Sequence, residues 1–185
     1  MNNIYMKINN HLLEDIKLLS SPNFDDRPLN TEISLVVIHS ISLPPTVFGN
    51  NYVEDFFLNN LMETNIDYLN NIKGMKVSSH IYIKRNGEII QFVPFDKRAW
   101  HAGRSSYKNI ENCNDYSIGI ELEGCDDIAY ENIQYIKLSE IINCLVDTYL
   151  KINSDRIVSH SDIAPGRKTD PGPLFDWKRL KTMIK

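Results

Sequence analysis

Two histidines, two carboxylates and a lysine carry the chemistry open to this sequence. His39, His160 and Asp170 supply two imidazoles and an acid, the donor set of a catalytic zinc site that keeps its fourth position open. Glu121 is a carboxylate able to act as general base beside such a centre, and Lys168 is a cation able to stabilise an oxyanion. By spacing alone the plainer reading prevails, in which each histidine ends a strand and only forms hydrogen bonds there. The three positions match no local metal motif such as HExxH. Glu121 and Glu123 fall on one face of an alternating stretch, and a solvated polar face suits Glu123 better. Lys168 taken by itself is a surface lysine. It lies close to Asp170, however, in a loop from His160 to Gly172 that is dense in His, Asp and Lys. Pro165, Gly166, Pro171 and Gly172 predict that this segment stays out of helix, a composition that suits ligand presentation better than core building.

The elements that must position these groups are strands and helices in alternation. Ile33 to His39 is a β-branched apolar run, the pattern of a strand covered on both faces. Val77 to Lys84 and Glu88 to Val93 flank Arg85-Asn86-Gly87, a hairpin signal. Tyr116 to Leu122 and Arg156 to Ser159 read as further strands. Apolar residues at Leu138, Ile141, Ile142, Leu145, Val146 and Tyr149 recur at helical spacing, predicting a helix over about 131–150. A second helix is predicted from Pro173 to Ile184, with the proline in its first turn, and a short one near 52–60. The expected architecture is α/β or α+β, a mixed sheet flanked by helices. His39, Glu121 and His160 lie at or near the ends of three different strands, so one crevice beside the sheet can collect them. The long loops expected at 40–51, 99–115 and 161–172 would surround it.

The remaining histidines read differently. His80, inside the predicted hairpin strand, suits a hydrogen-bonded core position. His101, beside Trp100, suits the wall of a groove for a sugar or peptide, and His11 suits the surface. No GxGxxG, P-loop or GxSxG motif occurs, so nucleotide binding and serine hydrolysis have no support.

Composition bounds the rest. The 185 residues suit one domain, and 24% charged with 42% apolar residues is an ordinary globular mix. The net charge of −4 is scattered, without a basic stripe, which argues against a nucleic-acid partner. The first ten residues hold no basic start, apolar run or cleavage site, so neither a leader nor a membrane span is expected. Three cysteines without CxxC spacing, Cys113, Cys125 and Cys144, fit a reducing compartment and argue against a cysteine-based metal site.

Six ordered blocks give the sequence a family likeness: Ser21 to Pro28, Val37 to Pro45, Arg85 to Ile89, Val93 to Gly103, Cys113 to Gly124, and His160 to Gly172. Together they resemble the zinc-dependent N-acetylmuramoyl-L-alanine amidases of type 2, from Ser21 to nearly the C-terminus. Within that family the likeness is strongest to the branch that acts on anhydromuropeptides in peptidoglycan recycling. The resemblance implies one zinc ion held by His39, His160 and Asp170, with Glu121 as the catalytic glutamate and Lys168 as the lysine supporting the tetrahedral intermediate. It also implies a mixed sheet flanked by helices, and a cytoplasmic enzyme acting as a monomer on an anhydromuropeptide. Groove candidates are Ser40, Lys76, Trp100, His101, Asn112 and Ala164. Ser40 stands where relatives often carry Asn, and Lys76 and Asn112 where they carry Arg. A wall-degrading amidase and a peptidoglycan-recognition module without activity are the two rival readings.

Overall fold

Leu35–Ile41 forms a strand because every residue from Leu35 to His39 is buried, with side chains committed to both faces. In this computed structural model, which describes residues 6–185, it lies inside a six-stranded mixed sheet. Met1 to Tyr5, part of the stretch read above for a leader, lie outside the described residues. The sheet strands are β1 (Lys17–Leu18), β2 (Leu35–Ile41), β3 (Ile81–Ile83), β4 (Ile89–Gln91), β5 (Ser117–Glu123) and β6 (Ile157–Ser159). Their order is β6-β2-β5-β3-β4-β1. β6, β2, β5 and β3 are mutually parallel, and β3 turns back antiparallel into β4. That turn is the predicted hairpin, with Gly87 at φ +86, but its strands are shorter than the sequence pattern suggests.

Register does the positioning. Glu121 pairs with His39 on one side and with Tyr82 on the other, so these side chains share one face of the sheet. Ser159 pairs with Ile38, which brings the following residue, His160, level with His39. The opposite face carries Val36, Ile38, Ile81, Ile83, Ile118, Ile120 and Leu122. It is covered by helix Asn132–Thr148 through Leu138, Ile141, Ile142 and Leu145, all fully buried. Burying four such side chains contributes about 1.5–3 kcal/mol each. The helix starts where Glu131 and Gln134 cap each other's backbone. Short helices Tyr52–Phe57 and Asp67–Ile72 shelter a second apolar cluster around Tyr82, Ile90 and Phe92.

Three expectations need correction. The C-terminal helix is Trp177–Met183 and begins well after Pro173, because Asp176 caps it by accepting from Arg179 N. Phe175, just before it, is packed against Tyr130, Tyr135 and Trp177 instead of extending the helix. His160–Ile163 is one turn of helix where a loop was predicted. Ser159 and Asp162 cap it reciprocally, and Pro165 and Gly166 come only after the turn is complete. Glu123 is buried, not solvated. Its carboxylate accepts from Gly49 N at 2.5 Å and Arg85 N at 2.9 Å, tying two loops to the end of β5.

Candidate active site

The strand ends meet beside one cleft of about 550 Å³, a volume that suits a small ligand. At its floor, His39 Nδ1 and His160 Nδ1 lie 2.9 Å apart, and Asp170 Oδ2 stands 3.0 Å from His160 Nδ1 and 3.4 Å from His39 Nδ1. Four ligands about 2.0–2.1 Å from a tetrahedral centre are about 3.3 Å apart, so the three donors have the spacing of such a set. Both histidines are buried, and each offers Nδ1 inward while Nε2 is engaged elsewhere: His39 Nε2 with His101 Nδ1 at 2.9 Å, His160 Nε2 with the Ala102 carbonyl at 3.2 Å. Two imidazole nitrogens and a carboxylate oxygen so arranged could hold a metal ion.

Electrostatics favours the same state. Burial and the neighbouring His160 push His39 down to about 4, against the pull of Asp170. It is therefore neutral at pH 7, as a ligand must be. Burial works to raise Asp170, but the adjacent His160 and His39 rings outweigh it and keep the carboxyl well below its ordinary range. The Asp170 loop is fastened at several points. Ser161 N donates to Asp170 O, and the Tyr130 hydroxyl donates to Pro171 O at 2.7 Å. Gly172, at φ +83, lies so close to Asp126 that an added Cβ would stand 2.5 Å from its Cα.

Glu121 projects from β5 with Oε1 4.0 Å from His39 Nδ1, outside the three-donor set. Its Oε2 is buried without a hydrogen-bond partner. Burial, reinforced by Asp170 and opposed by Lys168, raises its pKa well above the usual carboxylate range. A buried carboxyl with one free oxygen beside a metal-type donor set is placed to take a proton from water and return it. Lys168 is exposed at the cleft, on the turn whose backbone bonds back to Ala164 O.

The groove candidates separate. Ser40, Trp100 and His101 line the cleft. Lys76 lines a smaller hollow with Phe56 and Met75, and Asn112 and Ala164 line a third with Arg104 and Glu111. Tyr68, Asp126, Asp127 and Arg167 also line the cleft and were not singled out in the sequence. Arg167 fastens the wall by donating to Ala102 O and Arg104 O, at 2.6 and 2.7 Å. His80 is the expected core histidine, accepting from Gly119 N and meeting Lys97 O and Arg27.

Residues 29–173 match the N-acetylmuramoyl-L-alanine amidase family, Amidase_2. The chain belongs to that family. It is 49% identical over 174 residues to the 1,6-anhydro-N-acetylmuramyl-L-alanine amidase AmpD of Haemophilus influenzae, covering 94% of this chain and 95% of that protein. A crystal structure of a selenomethionine derivative of AmpD superposes with a TM-score of 0.94 at 45% identity, covering 97% of this chain and all of that one. AmpDh3 of Pseudomonas aeruginosa, solved in complex with anhydromuramic pentapeptide, is 26% identical with a TM-score of 0.61, covering 84% of this chain and 61% of that one. The mixed sheet with flanking helices described above is thus the amidase fold.

Proposed function

We propose that this chain is a zinc-dependent amidase acting as a monomer in cytoplasmic peptidoglycan recycling. The bond it hydrolyses is the amide between the lactyl group of 1,6-anhydro-N-acetylmuramic acid and L-alanine of the stem peptide. The observation that carries this reading is the convergence of His39, His160 and Asp170 beside the free oxygen of Glu121, in a chain nearly half identical to AmpD. His39, His160 and Asp170 would hold the metal, and bound zinc would supply Lewis acidity that acidifies water and polarises the scissile carbonyl.

This chain's residues do the rest. Glu121 takes a proton from the attacking water at its carboxylate and later delivers it to the departing alanine nitrogen. Burial raises the affinity of this carboxyl for the proton, so the same group can serve as base and then acid. The Lys168 ammonium stabilises negative charge building on the lactyl oxygen. Trp100 and the apolar wall of Leu43, Phe56 and Phe57 suit the sugar body, while Lys168 and Arg167 suit the carboxylates of the peptide. Three free cysteines agree with a reducing cytoplasm.

The test is peptide release from an anhydromuramyl-tripeptide and from its non-anhydro counterpart, with zinc-loaded and chelator-stripped protein. The reading predicts zinc-dependent release from the anhydro substrate. Equal cleavage of both substrates would make the chain a general wall amidase. No cleavage of either by zinc-loaded protein would make it a recognition module.

A further inference from the structure

His101 lines the cleft, as expected of a groove wall, and its ring also reaches inward. It lies edge-on to His39, with ring centroids 5.0 Å apart, and both ring nitrogens are engaged. Hydrogen accounting along this contact gives a single direction. The Ser117 hydroxyl donates its only hydrogen to Cys113 O at 2.5 Å, so towards His101 Nε2, 3.1 Å away, it can only accept. His101 Nε2 therefore carries the hydrogen. A neutral imidazole carries a single hydrogen, so with that hydrogen on Nε2 the Nδ1 of His101 is an acceptor. His39 Nε2, 2.9 Å away, must then be the donor, which leaves the lone pair of His39 on Nδ1, the atom facing His160 and Asp170.

We propose that His101 is a positioning residue that acts through His39, fixing its tautomer and ring orientation for metal binding, with Gly119 as the seat that admits the ring. This rests on the reading of His39 as a metal ligand. The seat is steric: a Cβ at Gly119 would lie 2.4 Å from His101 Cγ, and the ring has His39 on one side and His80 on another. The next residue serves the second histidine in the same way, since the Ala102 carbonyl can only accept and so fixes the hydrogen of His160 on Nε2. Asn114 Oδ1 accepts from the backbone N–H of both His101 and Ala102, at 3.2 and 2.8 Å, and holds the two devices together. Groups that orient a ligating histidine in this way are typically worth about 10–100-fold in metal affinity.

The experiment has two parts. Nitrogen-15 NMR of the histidine rings in zinc-loaded protein reads the tautomers directly, and the expected result is hydrogen on Nε2 of both His39 and His101. Chelator competition then gives zinc affinity for His101→Leu, Gly119→Ala and His101→Asn, whose side-chain oxygen can replace the lost acceptor. Expected are losses of about 10–100-fold for the first two and recovery of most of the affinity in the third. Hydrogen on His101 Nδ1, or His101→Leu binding zinc as tightly as the parent, would overturn the proposal while leaving the zinc reading intact. A parent that binds zinc no better than His39→Ala would overturn both. Should the variants fail to fold, the tautomers of the parent decide.

Discussion

Glu121→Gln is the sharpest perturbation of the chemistry, because it changes charge and proton affinity while keeping shape. Glu121 Oε1 stands 4.0 Å from His39 Nδ1 and belongs to no ligand position, so the variant should retain one zinc per chain. Glu121 Oε2 is a buried oxygen without a partner, whereas Asp170 is engaged by both histidines. Loss of general acid–base catalysis typically costs about 10²–10⁴-fold, equivalent to about 3–5 kcal/mol of barrier. The assay is kcat on an anhydromuramyl-tripeptide at pH 7, measured beside zinc content. A zinc-replete Glu121→Gln protein turning over within tenfold of the parent would refute the assignment.

Lys168→Met should keep zinc and lower kcat by about 10²–10³-fold, read in the same assay, if the ammonium stabilises the oxyanion. Gly172→Ala forces a side chain onto φ +83 and into the Asp126 backbone, so it should lower folding stability by about 1–3 kcal/mol in urea titrations and weaken zinc binding by displacing Asp170. Zinc-free protein should lose stability on acidification. His39 and His80 titrate at about 4 and about 3 when folded, chiefly because they are buried, but near 6.5 when unfolded. Their contribution is full above about pH 6.5 and is lost as pH falls, by about 2 kcal/mol per histidine between pH 7 and pH 5. Glu121, whose pKa is raised, works in the opposite direction, so the comparison belongs in Glu121→Gln. A flat urea midpoint there between pH 7 and pH 5 would contradict it.

Periodicity and turn chemistry made the sheet and the long helix readable in the sequence. The run at Leu35 to His39, the Asn86-Gly87 turn and the helical spacing from Leu138 to Leu145 each commit a segment locally. The helix Asp67–Ile72 gave no such signal, because only Leu69 is buried and no side chain caps its start. What the sequence could not carry was long-range register. Glu123 looks like a surface residue until the loops bearing Gly49 and Arg85 are seen to close over it. His101 lines the cleft as a groove wall would, but its contact with His39 becomes visible only once Gly119, on a different strand, is seen to leave room beneath it. Lys76 and Asn112 line hollows that adjoin the cleft, the first sharing Phe56 and Met75 with it and the second Arg167.

The most direct test of the central claim is mass spectrometry of the products formed from anhydromuramyl-tripeptide in ¹⁸O-enriched water. Hydrolysis of the lactyl amide by the zinc-loaded enzyme predicts unlabelled tripeptide and one heavy oxygen in the lactyl carboxylate of the anhydro sugar. Label in the peptide, or cleavage at any other bond, would contradict the account.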